Sequence, residues 1–295
     1  MKYLILSCLL ATFAMLQAQE EISVVLKTKT FAKGEIPAFV TLIPQASYEQ
    51  VQKDWEKYLK EDTKEKTLNE NGEVSIQNKV YEKIAPGFLT IYSYIKEFDG
   101  EIMLVAAFEL NGSYISKEMD EEVYIPAKKF VRDFALESYR TAVFQELKDE
   151  EKEFKKLENQ KLSLESSYET LLAVISQYER SIVTKKDEIS LNQLDQSSKV
   201  LQMQAQKEFV LKLANAGQAA KEDAEKILKE LEKDFKKLQK QNENYHQDIA
   251  NFESLIRQNE IALGKAESEL KFKQLDIDDQ AYKVRKIQQK LESIA

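Results

Sequence analysis

Apolar and polar residues follow two different rhythms along the chain, and the change falls near Pro126. Before it, apolar residues come in runs of strand length. Ile22 to Thr28 carries Val24, Val25 and Leu26 and predicts a strand. AFVTLI at 38–43, between Gly34 and Pro44, predicts a buried one. Ser47 has the character of a helix N-cap, with Glu49 and Gln50 in the first turn. Tyr48, Val51, Trp55, Tyr58 and Leu59 follow at helical spacing and should face a sheet. NENG at 69–72 predicts a turn, with short strands at Val74–Ile76 and Val80–Ile84. LTIYSYI at 89–95 alternates with period two. Phe98-Asp99-Gly100 then predicts a hairpin, because Asp-Gly suits the positive φ angles of a tight turn. IMLVAAFEL at 102–110 is a continuous apolar strand ended by Asn111-Gly112. These elements predict an α+β head: a small antiparallel sheet, one face covered by the 47–60 helix and by the start of a long helix. Phe130, Phe134, Leu136 and Tyr139 are the expected docking residues of that long helix.

From Leu147 the period becomes seven. Leu147, Phe154, Lys161, Tyr168, Ile175, Ile182 and Ile189 occupy a positions, with Leu157, Leu164, Leu171 and Tyr178 at d. The phase then slips, because Leu191, Leu194 and Leu201 fall off this seam; a stutter or local repacking is expected there. A second run has Leu228, Phe235, Asn242, Ile249, Ile256, Leu263, Leu270, Ile277, Val284 and Leu291 at a. Its d positions include Leu231, Leu238, Tyr245, Phe252 and Ile287. Nine of these ten a residues are apolar, and a seam sustained that long needs a partner helix to bury it. Coiled-coil pairing through these residues is the expectation.

The two runs are copies of each other. EKEFKKL at 151–157 returns as EKDFKKL at 232–238, an offset of 81 residues. That offset is not a multiple of seven, and an unbroken helix at about 3.6 residues per turn would turn the two seams to opposite sides. An interruption is therefore expected at Ala214-Asn215-Ala216-Gly217-Gln218, where Asn and Gly can form a left-handed cap. The expected organisation is a signal peptide at 1–18, a head at 19–126, a first arm at 127–213, a turn at 214–218 and a second arm at 219–295. The arms should pair as an antiparallel hairpin, each on the order of 110–130 Å long at about 1.5 Å per residue.

Composition sharpens this division. All four prolines and five of the seven glycines lie at or before Pro126. Proline is tolerated at a helix start, so Pro126 is the expected beginning of the long helix. Lys2, the apolar stretch from Tyr3 to Leu16 and the small Ala18 before Gln19 have the layout of a cleaved secretory leader. The competing reading is an uncleaved anchor, for which the stretch is short against the roughly 20 residues of a membrane span. No other stretch qualifies as a transmembrane segment. Cys8 is the single cysteine; lipid attachment there is the minor alternative. Its removal with the leader would leave no thiol for disulfides, catalysis or a zinc site. Residues 19–126 hold 12 Lys+Arg against 20 Asp+Glu, and residues 127–295 hold 30 against 31. Neither region has the basic surplus of a nucleic-acid binder.

Candidate chemistry is sparse. His246 is the single histidine and falls on a helix surface. No glycine-rich phosphate loop and no HExxH zinc signature occurs, and no carboxylate pair stands out for hydrolysis. No catalytic residue, cofactor or metal site is expected. Trp55, Tyr92, Tyr94, Phe98 and Phe108 either line a ligand groove on the head or form its core. The polar seam residues Lys161, Asn242, Asn259, Lys273 and Gln280 either fix register or mark solvated gaps.

The leader YLILSCLLATFAMLQA, the QAQE that follows and the Lys/Glu-rich helices give the chain its layout. That layout resembles a class of exported Gram-negative bacterial proteins of unassigned function, with a small α+β head and a C-terminal coiled coil. A looser similarity is to periplasmic holdase chaperones, which carry helical arms on a small body but are usually basic and shorter. The hairpins of efflux-pump adaptors are a further analogue, without the flanking lipoyl-type halves here. The resemblance implies an exported, periplasmic or envelope-associated protein. Its expected role is structural or interactive and non-catalytic, through a protein partner or self-association of the helices. A holdase role and small-ligand binding by the head are the alternatives.

Overall fold

The computed structural model of the protein describes residues 22–61, 66–213 and 218–294. The leader at 1–18 and the turn residues 214–217 lie outside the described residues. The chain divides into two compact units: residues 1–154 with 279–295, and residues 155–278.

In the first unit, strands β1 (Val24–Phe31), β2 (Gly34–Ile43), β3 (Leu68–Glu70), β4 (Glu73–Val80), β5 (Phe88–Phe98), β6 (Glu101–Leu110) and β7 (Ser113–Tyr114) form one antiparallel sheet. Its order is β1-β2-β6-β5-β4-β3, and β7 pairs with the end of β6. Asn71-Gly72, Asp99-Gly100 and Asn111-Gly112 all adopt positive φ at both residues, which is the geometry that matches the twist of a two-residue hairpin.

Helix α1 (Tyr48–Leu59) is opened by Ser47, whose Oγ accepts from the Gln50 amide at 3.3 Å. Val51, Trp55 and Leu59, spaced by four, are buried against the sheet. Helix α2 (Glu121–Lys212) packs its first turns beside α1. Phe130 and Phe134 meet the Trp55 ring at 6.0 and 4.7 Å between centroids, and Tyr81 and Phe108 meet Phe130. Each ring buried this way contributes about 1.5–3 kcal/mol. Phe130, Phe134 and Tyr139 are buried in the core as expected, with Leu136 packed against it.

Three features differ from the sequence reading. The helix does not begin at Pro126: Asp120 caps it, its Oδ1 accepting from the Glu122 amide at 3.0 Å, and Pro126 sits inside the helix. Val74–Ile76 and Val80–Ile84 are not two strands. β4 is one strand with a bulge between Ile76 and Lys79, where Asn78 has φ 53°, and 81–84 form a turn. The bulge puts Lys79 on the same face as Ile76. Lys79 Nζ thereby reaches the end of α1, donating to the Leu59 carbonyl at 3.2 Å and to that of Glu61, with the Tyr81 hydroxyl donating to Leu59 at 2.7 Å. A cation and a hydroxyl thus satisfy helix-end carbonyls that strand pairing could not reach. Finally, the compact unit extends past the expected boundary to Phe154 and takes in residues 279–295, because Ile294 joins the core and Arg140 Nη2 donates to the Ile294 carbonyl at 2.9 Å.

Burial raises the Tyr58 phenol to about 12, and it moves the Tyr81 phenol upward too. Beneath the aromatic layer, Trp55 Nε1 donates to Ser93 Oγ at 2.8 Å, and Ser93 Oγ donates to the Val74 carbonyl at 2.9 Å. Ser93→Ala should leave the indole N–H buried without an acceptor and destabilise the head by about 1–3 kcal/mol. Urea unfolding followed by tryptophan fluorescence measures it: the midpoint falls while the slope is unchanged.

Candidate functional site

Two surfaces carry residues that the core does not explain. The first is on the second unit. There the 155–212 part of α2 and the 218–278 part of helix α3 (Gln218–Ser293) pair antiparallel. Tyr178 stacks on Phe252 at 5.7 Å, Lys185 pairs with Asp248 at 3.6 Å and Lys199 with Asp234 at 3.3 Å. Gln206 Nε2 donates to the Ala224 carbonyl at 3.0 Å.

Each residue expected on the seam is at least half-buried. Leu147, Ile189 and Ile277 are buried, and Phe154, Leu157, Leu164, Tyr168, Leu171, Ile175, Tyr178 and Ile182 are half-buried. On α3, Leu228, Leu231, Phe235, Leu238, Tyr245, Ile249, Phe252, Ile256, Leu263, Leu270, Val284, Ile287 and Leu291 are half-buried as well. The polar seam residues behave individually. Asn259 Nδ2 donates to its own helix at Leu255, and Lys273 pairs with Asp276. Gln280, in the first unit, bonds the Glu150 carbonyl at 3.0 Å and also the Glu150 carboxylate. Asn242 Oδ1 is buried with no hydrogen-bond partner.

The expected phase slip is absent. The helix is unbroken to Lys212, so the heptad continues through Ile189, Asn192, Gln196, Lys199, Met203, Gln206 and Val210, all turned inward and at least half-buried. Asn192 is 5% exposed. The leucines instead face outward, with Leu191 64%, Leu194 68% and Leu201 67% exposed. Val183 and Phe209 are also exposed. At ~100° per residue, these five fall within an arc of about 80°. The seam is polar here and the outer face is apolar.

The second surface is the sheet face opposite α1. Alternation in the strands places Val25, Lys27 and Lys29 of β1 on it, beside Val40 and Leu42 of β2, Met103 of β6 and Lys96 of β5. The sheet is curled about this face. The Phe31 ring, on the edge strand, comes within 5.1 Å of the Tyr94 ring, and the Ala32 amide donates to Glu73 Oε1 at 2.8 Å. Small Ala38 and Ala107 at the centre are fully buried in the small cluster this creates. Over it, Lys33 Nζ donates to the Tyr92 hydroxyl, which donates to Glu109 at 3.2 Å. That bond to Tyr92, with Glu109 nearby, holds the Lys33 ammonium above its ordinary range. The other end of the same face stays open as a groove of about 530 Å³.

The five aromatic residues singled out in the sequence do not converge. Trp55 and Phe108 lie in the core on the helix-covered side. Tyr92 and Tyr94 belong to the opposite cluster, and Phe98 lines the open groove. His246 is exposed on α3. Among the described residues, no group of His, Cys, Asp and Glu could hold a metal ion, and no helix is long and apolar enough to cross a membrane. The outward leucines were visible in the sequence but carried the wrong meaning. The lysines of β1 were hidden in a strand reading that had no face assigned. Compared with known proteins, the chain matches no family model and no curated protein.

Asn242→Leu should stabilise the helix pair by about 1 kcal/mol, since it removes a buried acceptor that lacks a donor. Thermal melting followed by helical circular dichroism measures it, and the variant should melt higher than the parent.

Proposed function

We propose that the protein is an exported, non-catalytic interaction protein of the bacterial cell envelope that acts through its coiled-coil arm. One observation carries this reading: an apolar stripe faces outward where the seam beneath it has turned polar. Stability alone would put the leucines inside and the glutamines outside. The inversion leaves Leu191, Leu194 and Leu201 more than half exposed. The segment is also nearly uncharged. From Ile189 to Gln206, the middle of the stripe, only Asp195 and Lys199 carry charge, in a chain with 32% charged residues, and Lys199 is paired with Asp234; the charged residues 185–188 and 207–208 flank this stretch. Contiguous exposed apolar area of a few hundred Å² or more is typical of an interaction surface.

The stripe runs on the order of 40 Å along the helix at about 1.5 Å per residue. Four of its five residues are spaced nearly symmetrically about Asn192 and Gln193, with Phe209 lying beyond them. An antiparallel two-fold contact would lay Val183 against Leu201 and Leu191 against Leu194 of a second copy. A second copy is therefore the partner that fits best. The holdase alternative uses the same stripe for unfolded chains, and it has no need of that symmetry.

Replacing Leu191, Leu194 and Leu201 together by Ser tests the reading. Sedimentation velocity of the full mature chain at micromolar concentration should show self-association for the parent and a monomer for the variant, with the helical melt unchanged. A parent that stays monomeric through the micromolar range, or a variant that associates as the parent does, would count against it.

A further inference from the structure

The open groove on the head stands apart from the arm, and its chemistry is specific. Its floor is Val40, Leu42 and Met103, and its walls include Val25 and Phe98. Lys27 and Lys29 stand on one side and Lys96 on the other, with Glu101 the one carboxylate of the lining. Lys27, Lys29 and Lys96 make no ion pair among the described residues, whereas Lys33 on the same face is held by Glu109. Residues 19–126 as a whole carry 20 acidic against 12 basic residues, so a face with three unpaired cations runs against the head's own charge.

The floor also constrains what can lie on it. β2 and β6 are interior strands, hydrogen-bonded on both sides, so their backbone groups are committed to the sheet. Alternation turns Thr41 away to the helix-covered face, where it is buried and donates to the Leu42 carbonyl at 3.5 Å, and Ser23 is the uncharged polar side chain left at the groove's edge. A peptide laid across this floor would lose water from its own N–H and C=O groups and find no replacement. A hydrocarbon chain has no such groups. The volume is within the roughly 300–1,000 Å³ of small-ligand sites. An apolar floor between unpaired ammonium groups therefore selects a molecule that is apolar along its length and anionic at one end.

We propose that this groove binds a long-chain fatty acid, with the acyl chain on Val25, Val40, Leu42 and Met103 and the carboxylate met by Lys27, Lys29 or Lys96. The lysines contribute by charge at a wet rim, so salt weakens binding without abolishing it. The apolar surface still exposed in the lining, chiefly Val25 and Phe98 with part of Leu42, supplies the larger share of the affinity, since Val40 and Met103 are already buried.

Displacement of fluorescent dansyl-undecanoic acid from the full mature chain by palmitate tests the proposal, with hexadecanol as the uncharged counterpart and a glutamate-rich peptide as the alternative anion. Palmitate should displace the probe at micromolar concentration, and hexadecanol should be several-fold weaker. Reversing the three lysines (K27E, K29E, K96E) should weaken palmitate by about tenfold or more, because whichever lysine meets the carboxylate is replaced by a like charge. Val25→Glu, at an exposed position that should not disturb folding, should weaken it similarly. Melting curves like the parent's establish that both variants are folded. The proposal is overturned if palmitate displaces no probe, if palmitate and hexadecanol compete equally, if the reversed variant binds as the parent does, or if the acidic peptide competes where palmitate does not. The Leu191/Leu194/Leu201 serine variant should bind palmitate normally, which separates this site from the arm.

Discussion

A helix without a break cannot change the face it presents. Within the second unit, once Tyr168, Ile175 and Ile182 turn α2 toward α3 at a spacing of seven, every later residue of that helix has its direction set by its distance from them. The second unit shows the consequence where the sequence stops cooperating. Past Ile189 the inward positions hold Asn192, Gln196, Lys199 and Gln206, and the helix keeps its register all the same. The polar groups find work across the pair, Gln206 on the Ala224 carbonyl and Lys199 on Asp234. Apolar side chains that a free helix would rotate inward are held outside.

The head solves a different problem. Its sheet has one face sealed by α1 and α2, and the aromatic layer of Trp55, Phe130 and Phe134 forms that seal. Among the described residues, no helix covers the other face. Curling closes half of it: Phe31 swings onto Tyr94, and the alanines at 38 and 107 leave room for the bend. The remaining half stays open and carries cations on both sides of an apolar floor.

Much of this was legible in the sequence where a single physical cause dominates. Ser47, the Asp99-Gly100 turn and the Phe130–Tyr139 docking face are local signals, and each stands where its chemistry put it. Readings failed where two causes compete. Gln77 and Asn78 looked like the gap between two strands, but a bulge spends them to bring Lys79 to the end of α1. Pro126 looked like a helix start, but Asp120 offers the better cap a few residues earlier. Leu191, Leu194 and Leu201 looked like a shifted seam, because hydrophobicity alone cannot tell an inward leucine from an outward one. The groove was out of reach altogether, since curvature arises from strands β1, β4 and β5 meeting over a face that no local pattern marks.

The return of α3 to the head sets the order of assembly. Ile294 packs into the core that Ile22 and Val24 begin, Lys290 Nζ donates to Gln45 Oε1 at 2.6 Å, and Arg140 bonds a carbonyl 154 positions further along. Strands made early in synthesis must therefore wait for helix made last before their own packing is complete. Loop closure over such a span costs entropy that is recovered when the two arms zip together. The first strand and the last turn of α3 thus share one core, so the two ends of the described chain are secured against each other.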